Sequence, residues 1–304
     1  MIATPNAARH AALSLLTCLA LGSGPLAADD PEPPAAASAP AGQLYLVSVG
    51  IGDSDNMTLR AQKTIAGADI VFGMQMVLEQ HAALLGGKAV YEAGHGLFRE
   101  LPPRPTAPPG SPDADAARQR DGEDRPALEA QARRVIRDAV AAGKTVAVLD
   151  YGDPMIFGPH TGYLSEFADL SPVVVPGISS FNAANAALRR SPTGGVGSQA
   201  VILTRPPRGE AEDGRAETFR TLAASPSTLV LFTMRTKLPE LVAQLKASRP
   251  GDTPIAIVFY AGFSARERVL TATLDSILAA VGDAPLPFAH LIYVGEFLQG
   301  ASPE

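Results

Sequence analysis

Three short stretches of the sequence hold the residue types that chemistry needs. Val49-Gly-Ile-Gly52-Asp53-Ser-Asp-Asn-Met-Thr-Leu-Arg-Ala61 is a glycine turn that carries a carboxylate and runs from a strand pattern into a helix pattern. Glycines let backbone approach a ligand closely, and a helix start offers unpaired N–H groups. The stretch is not a G-x-G-x-x-G fingerprint and holds no Walker lysine, so a tight strand-to-helix turn explains it equally well. Asp150-Tyr-Gly-Asp-Pro-Met-Ile-Phe-Gly-Pro159 follows a second strand pattern. It puts a carboxylate and free backbone groups where α/β folds bind ligands, with a proline β-turn as the plainer reading. Val175-Pro-Gly-Ile-Ser-Ser-Phe-Asn-Ala-Ala-Asn-Ala-Ala187 places Ser179 and Ser180 at the head of an alanine-rich helix. Either serine can cap that helix, and a ligand hydroxyl or carboxylate could share the same start.

The elements that must position these stretches alternate. Short apolar runs at 44–49, 69–72, 145–149, 173–175, 200–203, 229–232, 255–260 and 291–294 read as buried strands. Amphipathic segments at 58–68, 74–85, 127–142, 181–188 and 238–245 read as helices, the third ending at Gly143. This alternation predicts an α/β fold. Pro176-Gly177 breaks the pattern, which divides the chain into an N-terminal α/β domain, 43–175, and a C-terminal one, 176–299. No repeat of 20–50 residues stands out.

Composition sets outer limits. With 304 residues the chain can bury a sizeable core, and a net charge of −6 gives no reason to expect nucleic acid as partner. One cysteine permits neither an internal disulfide nor a cysteine zinc site. Residues 1–28 hold a single charged side chain, Arg9, then a dozen apolar residues and a small-residue exit, the pattern of a cleaved secretory signal peptide. The alternative is a mis-assigned start codon ahead of a cytoplasmic enzyme; Thr17 before Cys18 disfavours a lipoprotein site. Cleavage after Ala28 leaves 24 basic against 31 acidic residues, no cysteine and no membrane span, and localises the mature chain to the periplasm or outside the cell. Residues 29–42 read as a disordered tether. Residues 99–128, with seven prolines, five arginines and six acidic residues, read as a surface insertion, either disordered or a lid.

The three stretches, in this order and followed by Thr228-Leu-Val-Leu-Phe-Thr-Met234 and Pro254-Ile-Ala-Ile-Val-Phe-Tyr-Ala261, resemble the tetrapyrrole (corrin/porphyrin) methylases, S-adenosylmethionine-dependent enzymes of siroheme and cobalamin synthesis. The resemblance covers about residues 43–298. Ala200-Val-Ile-Leu-Thr-Arg205, 266–274 and 291–295 look most like the precorrin-4 C11-methyltransferase branch. It implies two α/β domains with the cofactor cleft between them, a homodimer and no metal. Carried over by motif, Gly50, Gly52, Asp53, Tyr151, Gly152, Asp153, Ile156, Ser179, Ser180, Thr233, Met234 and Ala261 become candidates to bind S-adenosylmethionine.

Departures from the family pattern matter as much. Gly52 runs straight into Asp53, which makes the first loop two residues shorter than Gly-x-Gly-Pro-Gly-Asp-Pro. Phe72-Gly-Met74 stands where the uroporphyrinogen branch has Tyr-Asp, so that candidate base is missing and no catalytic base is assigned. His95 and His160 are then the candidates for substrate contact, with an exposed loop histidine as the plain alternative. Arg99, Arg189, Arg190 and Arg205 could meet tetrapyrrole carboxylates, or simply form a solvated face. The resemblance implies methyl transfer to a precorrin-like tetrapyrrole. The alternatives are another acceptor, such as a peptide, or an exported protein that uses the same cleft only to bind.

Overall fold

The computed structural model describes residues 42–99, 112–194, 200–207, 214–232, 237–283 and 285–299. The expected signal peptide, all of the tether but Gly42, and the stretch 100–111 of the insertion lie outside the described residues. The elements are, in order, β1 (Leu44–Ser48), α1 (Leu59–Ala66), β2 (Ile70–Gly73), α2 (Gln75–Gln80), β3 (Ala89–Glu92), α3 (Pro112–Ala141), β4 (Val146–Asp150), α4 (Gly162–Glu166) and β5 (Val173–Val175). There follow α5 (Ser180–Leu188), β6 (Val201–Thr204), α6 (Arg215–Ala224), β7 (Thr228–Leu231), α7 (Leu238–Lys246), β8 (Pro254–Phe259), β9 (Arg268–Thr273), α8 (Ile277–Val281) and β10 (His290–Val294).

The first sheet is parallel throughout, in the order β3-β2-β4-β1-β5. Central strands of a parallel sheet are covered on both faces, which is why β1 and β4 read as unbroken apolar runs. Alternate residues feed two cores. Leu44, Leu46, Val146 and Val148 pack with Ile136 of α3 and with Tyr163 and Phe167, while Val47, Ala147 and Leu149 pack with Ile65 of α1. The second sheet is mixed, in the order β6-β7-β10-β8-β9, and only β6 and β7 run parallel. One of its faces packs on α6 and α7, the other on α5. The first sheet is built wholly from residues before Pro176, the second wholly from residues after it.

Several elements differ from the sequence expectation, among them the helices α4, α6 and α8, none of which falls in a segment read as helical. β3 and β9 are edge strands whose residues are exposed or half-buried, so neither carries an apolar run to announce it. Helix α3 starts at Pro112, not at 127, so the second half of the supposed insertion is helical. Proline is tolerated in a first helical turn, and the residues after it are mostly Ala, Arg, Asp and Glu, with few β-branched side chains to oppose a helix. Arg125 also anchors this half: its guanidinium donates to Glu129 at 2.8 Å and to the Arg99 carbonyl at 2.9 Å.

Candidate functional site

The carboxyl ends of β1 and β4, neighbours at the centre of the first sheet, continue into two loops that pair with each other. Val49 N–H donates to the Asp150 carbonyl at 2.9 Å, and Gly152 N–H to the Gly50 carbonyl at 2.8 Å. The Ser48 hydroxyl donates to the Gly152 carbonyl and accepts from Gly50 N–H. Gly50 and Gly152 both sit at φ +78°, a conformation that favours glycine.

Beyond Gly50 the first loop crosses to the second sheet. Gly52, at φ +84°, abuts Gly262, at φ +83°, in the turn after β8; a Cβ on Gly52 would stand 2.0 Å from the Gly262 carbonyl oxygen. Asp53 N–H donates to that oxygen at 2.8 Å and the Asn56 amide donates to it at 3.0 Å. The Asp53 carboxylate accepts from Ser264 N–H at 2.8 Å and from the Ser264 hydroxyl at 2.6 Å. Those two bonds hold its pKa below the usual carboxylate value. Gln80 of α2 braces the same loop from behind, donating to the Gly52 carbonyl at 2.7 Å. An open cleft of about 540 Å³ lies here, lined by Asp53, Asn56, Gly177, Asn182, Ser264 and Glu267 among others.

The second loop is built on a buried pair. Asp150 and His160 are both fully buried, with His160 Nδ1 3.3 Å from an Asp150 oxygen, and His160 N–H donating to the other oxygen at 3.3 Å. His160 Nε2 lies 3.0 Å from the Gly94 carbonyl, which can only accept, so Nε2 carries a hydrogen. Tyr163 fixes the same turn by donating to the Ala93 carbonyl at 2.9 Å. Burial, and secondarily the charges of Glu92 and Glu129, push the Tyr163 phenol well up.

Above this pair, Asp153 joins two motifs: one oxygen accepts from Met155 N–H at 2.8 Å and the other from Gly177 N–H at 3.3 Å. Tyr151 is half-buried beside Gly52, and burial raises its pKa against a smaller opposing hydrogen bond from the Gly52 backbone. Phe157, at φ +59°, rests its ring 4.6 Å from that of Phe232 in the second half, with the Arg205 guanidinium 5.1 Å from its centroid. At the head of α5, Ser179 and Asn182 form a reciprocal capping box.

The model of the tetrapyrrole (corrin/porphyrin) methylases matches residues 43–278. The chain belongs to this family. The cobalt-precorrin-4 C(11)-methyltransferase of Methanocaldococcus jannaschii is 33% identical over 261 residues, which is 84% of this chain and 88% of that one. Among solved structures, a cobalt precorrin-4 methyltransferase superposes with a TM-score of 0.59 at 22% identity, covering 85% of this chain and 96% of its own. The uroporphyrin-III C-methyltransferase of Thermus thermophilus complexed with S-adenosylhomocysteine gives 0.59 at 23% identity, covering 84% and 99%. These two likenesses concern the fold, which is the two-sheet α/β architecture of the methylases.

In this methylase the structure brings Gly50, Gly52, Asp53, Tyr151, Gly152, Asp153, Ser179 and Ala261 around one set of loops. Ile156 is partly buried in the second loop, and Ser180 is the first residue of α5. Thr233 and Met234 lie outside the described residues. His160 is corrected: its side chain is fully buried, with Nδ1 3.3 Å from Asp150 Oδ1 and neither of those two atoms in a hydrogen bond, so it is not an exposed loop histidine open to a substrate. His95 is exposed, in the turn between Gly94 and Gly96 that His160 holds. Arg99 reaches toward the Gly158 carbonyl at 3.4 Å, and Arg205 lies over Phe157. Arg189 and Arg190 follow the last turn of α5, about 13 Å along the helix from its capped start. Asn56, Gln80, Asn182 and Ser264 escaped the sequence reading. Of these, only Asn56 and Asn182 fall inside a motif that was read.

Among the described residues no group of three or more His, Cys, Asp or Glu side chains could hold a metal ion, and no helix is long and apolar enough to cross a membrane.

Proposed function

We propose that this methylase transfers a methyl group from S-adenosylmethionine to a carbon of a precorrin-like tetrapyrrole, using the loops where its two sheets meet. The observation that carries the reading is the convergence of motifs far apart in sequence, with Asp153 bonded to Gly177 and Asp53 to Ser264. The residues there suit the cofactor. Asp55 and Glu267 give the cleft a negative lining for a cationic ligand, and Ile178, Ala183 and Ala186 offer it apolar surface for a base. When bound, S-adenosylmethionine would supply the methyl group, which the acceptor carbon would take in line as its bond to sulfur breaks, with S-adenosylhomocysteine as the leaving group.

The chain's contribution is position. Holding the reactants in attack geometry can lower a barrier by several kcal/mol, up to about 7–11. Neither Asp53 nor Tyr151 is tuned to take a proton: the bonds from Ser264 stabilise the Asp53 carboxylate, and burial favours the protonated Tyr151 phenol. Arg99 and Arg205, at the second loop, are the cations best placed for the carboxylates of the acceptor.

Calorimetry of the protein with S-adenosylmethionine and S-adenosylhomocysteine tests the reading. Saturable binding that Asp153→Ala weakens at least tenfold supports it; no binding of either overturns it. Binding without methyl transfer to any precorrin would favour a protein that only binds. Export is a separate proposal that rests on residues 1–28, and fractionating cells that carry a tagged full-length chain tests it. Dimerisation is likewise proposed, and light scattering on the purified chain tests it.

A further inference from the structure

The first loop spends its side chains on the opposite half of the molecule. Four hydrogen bonds cross there: Asp53 N–H and the Asn56 amide both donate to the Gly262 carbonyl, and the Ser264 N–H and hydroxyl both donate to one oxygen of Asp53. The receiving turn is itself fixed, because Gly262 N–H donates to the Glu267 carboxylate at 2.8 Å. Register makes the match. Gly52 meets Gly262 backbone to backbone, so the very next residue projects its carboxylate at the chain two positions on, where Ser264 stands. The immediate Gly52-Asp53 succession, without intervening residues, produces that alignment.

We infer that Asp53 is a positioning residue: through Ser264 it clasps the two α/β halves at one edge of the cleft and so sets the spacing at which the cofactor binds. It does not touch the reacting atoms. This rests on the reading of the cleft as the S-adenosylmethionine site, and the test separates the two.

S-adenosylhomocysteine affinity is measured by calorimetry on Asp53→Asn, Asp53→Ala, Ser264→Ala and the double Ala variant. Amide hydrogen exchange over 260–267 is followed in parallel on the same folded proteins. The clasp predicts that Asp53→Ala and Ser264→Ala each weaken binding about tenfold and that the double variant is no worse than either. It also predicts that Asp53→Asn, still able to accept from Ser264, stays within about threefold of the parent. Exchange at residue 264 rises at least tenfold in Asp53→Ala and stays slow in Asp53→Asn. Wild-type binding in Ser264→Ala with loss in Asp53→Asn would overturn the inference, because Asp53 would then act on ligand directly. Additive losses, or unchanged exchange in Asp53→Ala, would overturn it too. Failure of the parent protein to bind would instead defeat the reading of the site, and the exchange data would still decide whether the clasp exists.

Discussion

An acidic residue flanks the glycine turn at the end of each of β1 and β4, Asp53 after the first and Asp150, the last residue of β4, before the second, yet the two acids meet opposite fates. After β1, the carboxylate of Asp53 lies at the surface and is fastened across the cleft to Ser264. At the end of β4, Asp150 is sealed in the first half against His160, and the loop that follows reaches the second half through Asp153, bonded to Gly177 N–H, and through rings, with Phe157 on Phe232. A local sequence signature therefore fixes the bend of the chain, and the surroundings decide what the acid does. The first loop is held from outside by the other half, the second from beneath by its own core.

That contrast can be broken at several points. The largest effect belongs to Gly52→Ala: positive φ and a Cβ 2.0 Å from a carbonyl oxygen combine strain with overlap against backbone that cannot yield. We expect a loss of about 4 kcal/mol in urea unfolding. His160→Ala empties a fully buried position and takes the imidazole donor from the Gly94 carbonyl, and should cost about 3 kcal/mol by the same measurement. A near-neutral result would mean that the imidazole does not hold the Gly94 turn.

Gly152→Ala sharpens the comparison. The position has the same backbone conformation, but an added Cβ would find its nearest atom, the Ser179 Cα, at 4.0 Å, so only strain remains and the loss should be about 1 kcal/mol. A loss as large as that of Gly52→Ala would place the difference between the loops elsewhere.

The smallest effect is one of pH. The folded state depresses the pKa of Asp53, so its contribution is complete above the unfolded value, about pH 4, and is lost as pH falls through the lower folded value. Melting temperatures followed downward from pH 5 should fall more steeply in the parent than in Asp53→Asn, and parallel curves would remove the clasp's electrostatic share.

Much of this was legible in the sequence because it is local. β1, β4 and β8 announce themselves by apolar runs that central strands require, and Ser179 caps α5 as its position suggests. Edge strands have no such requirement: β3 and β9 left no run to read, while β5 and β6, also at edges, kept one. Residues 99–128 read as an insertion, but α3 starts within it at Pro112 and runs through Pro126. His160 looked like a loop histidine because nothing in ten residues of glycine, proline and mixed side chains tells that a strand-end aspartate will be buried behind them. Ser264 is 211 residues from Asp53, and only the meeting of two halves makes it a partner.

The abutting glycines have a mechanical consequence. Where Gly52 meets Gly262 backbone stands against backbone, so no rotamer change of either residue can take up slack there. Phe157 and Phe232 touch only through rings, which can slide or part without breaking a hydrogen bond. The two contacts between the halves therefore differ in compliance: the glycine contact is stiff, and the aromatic one yields first.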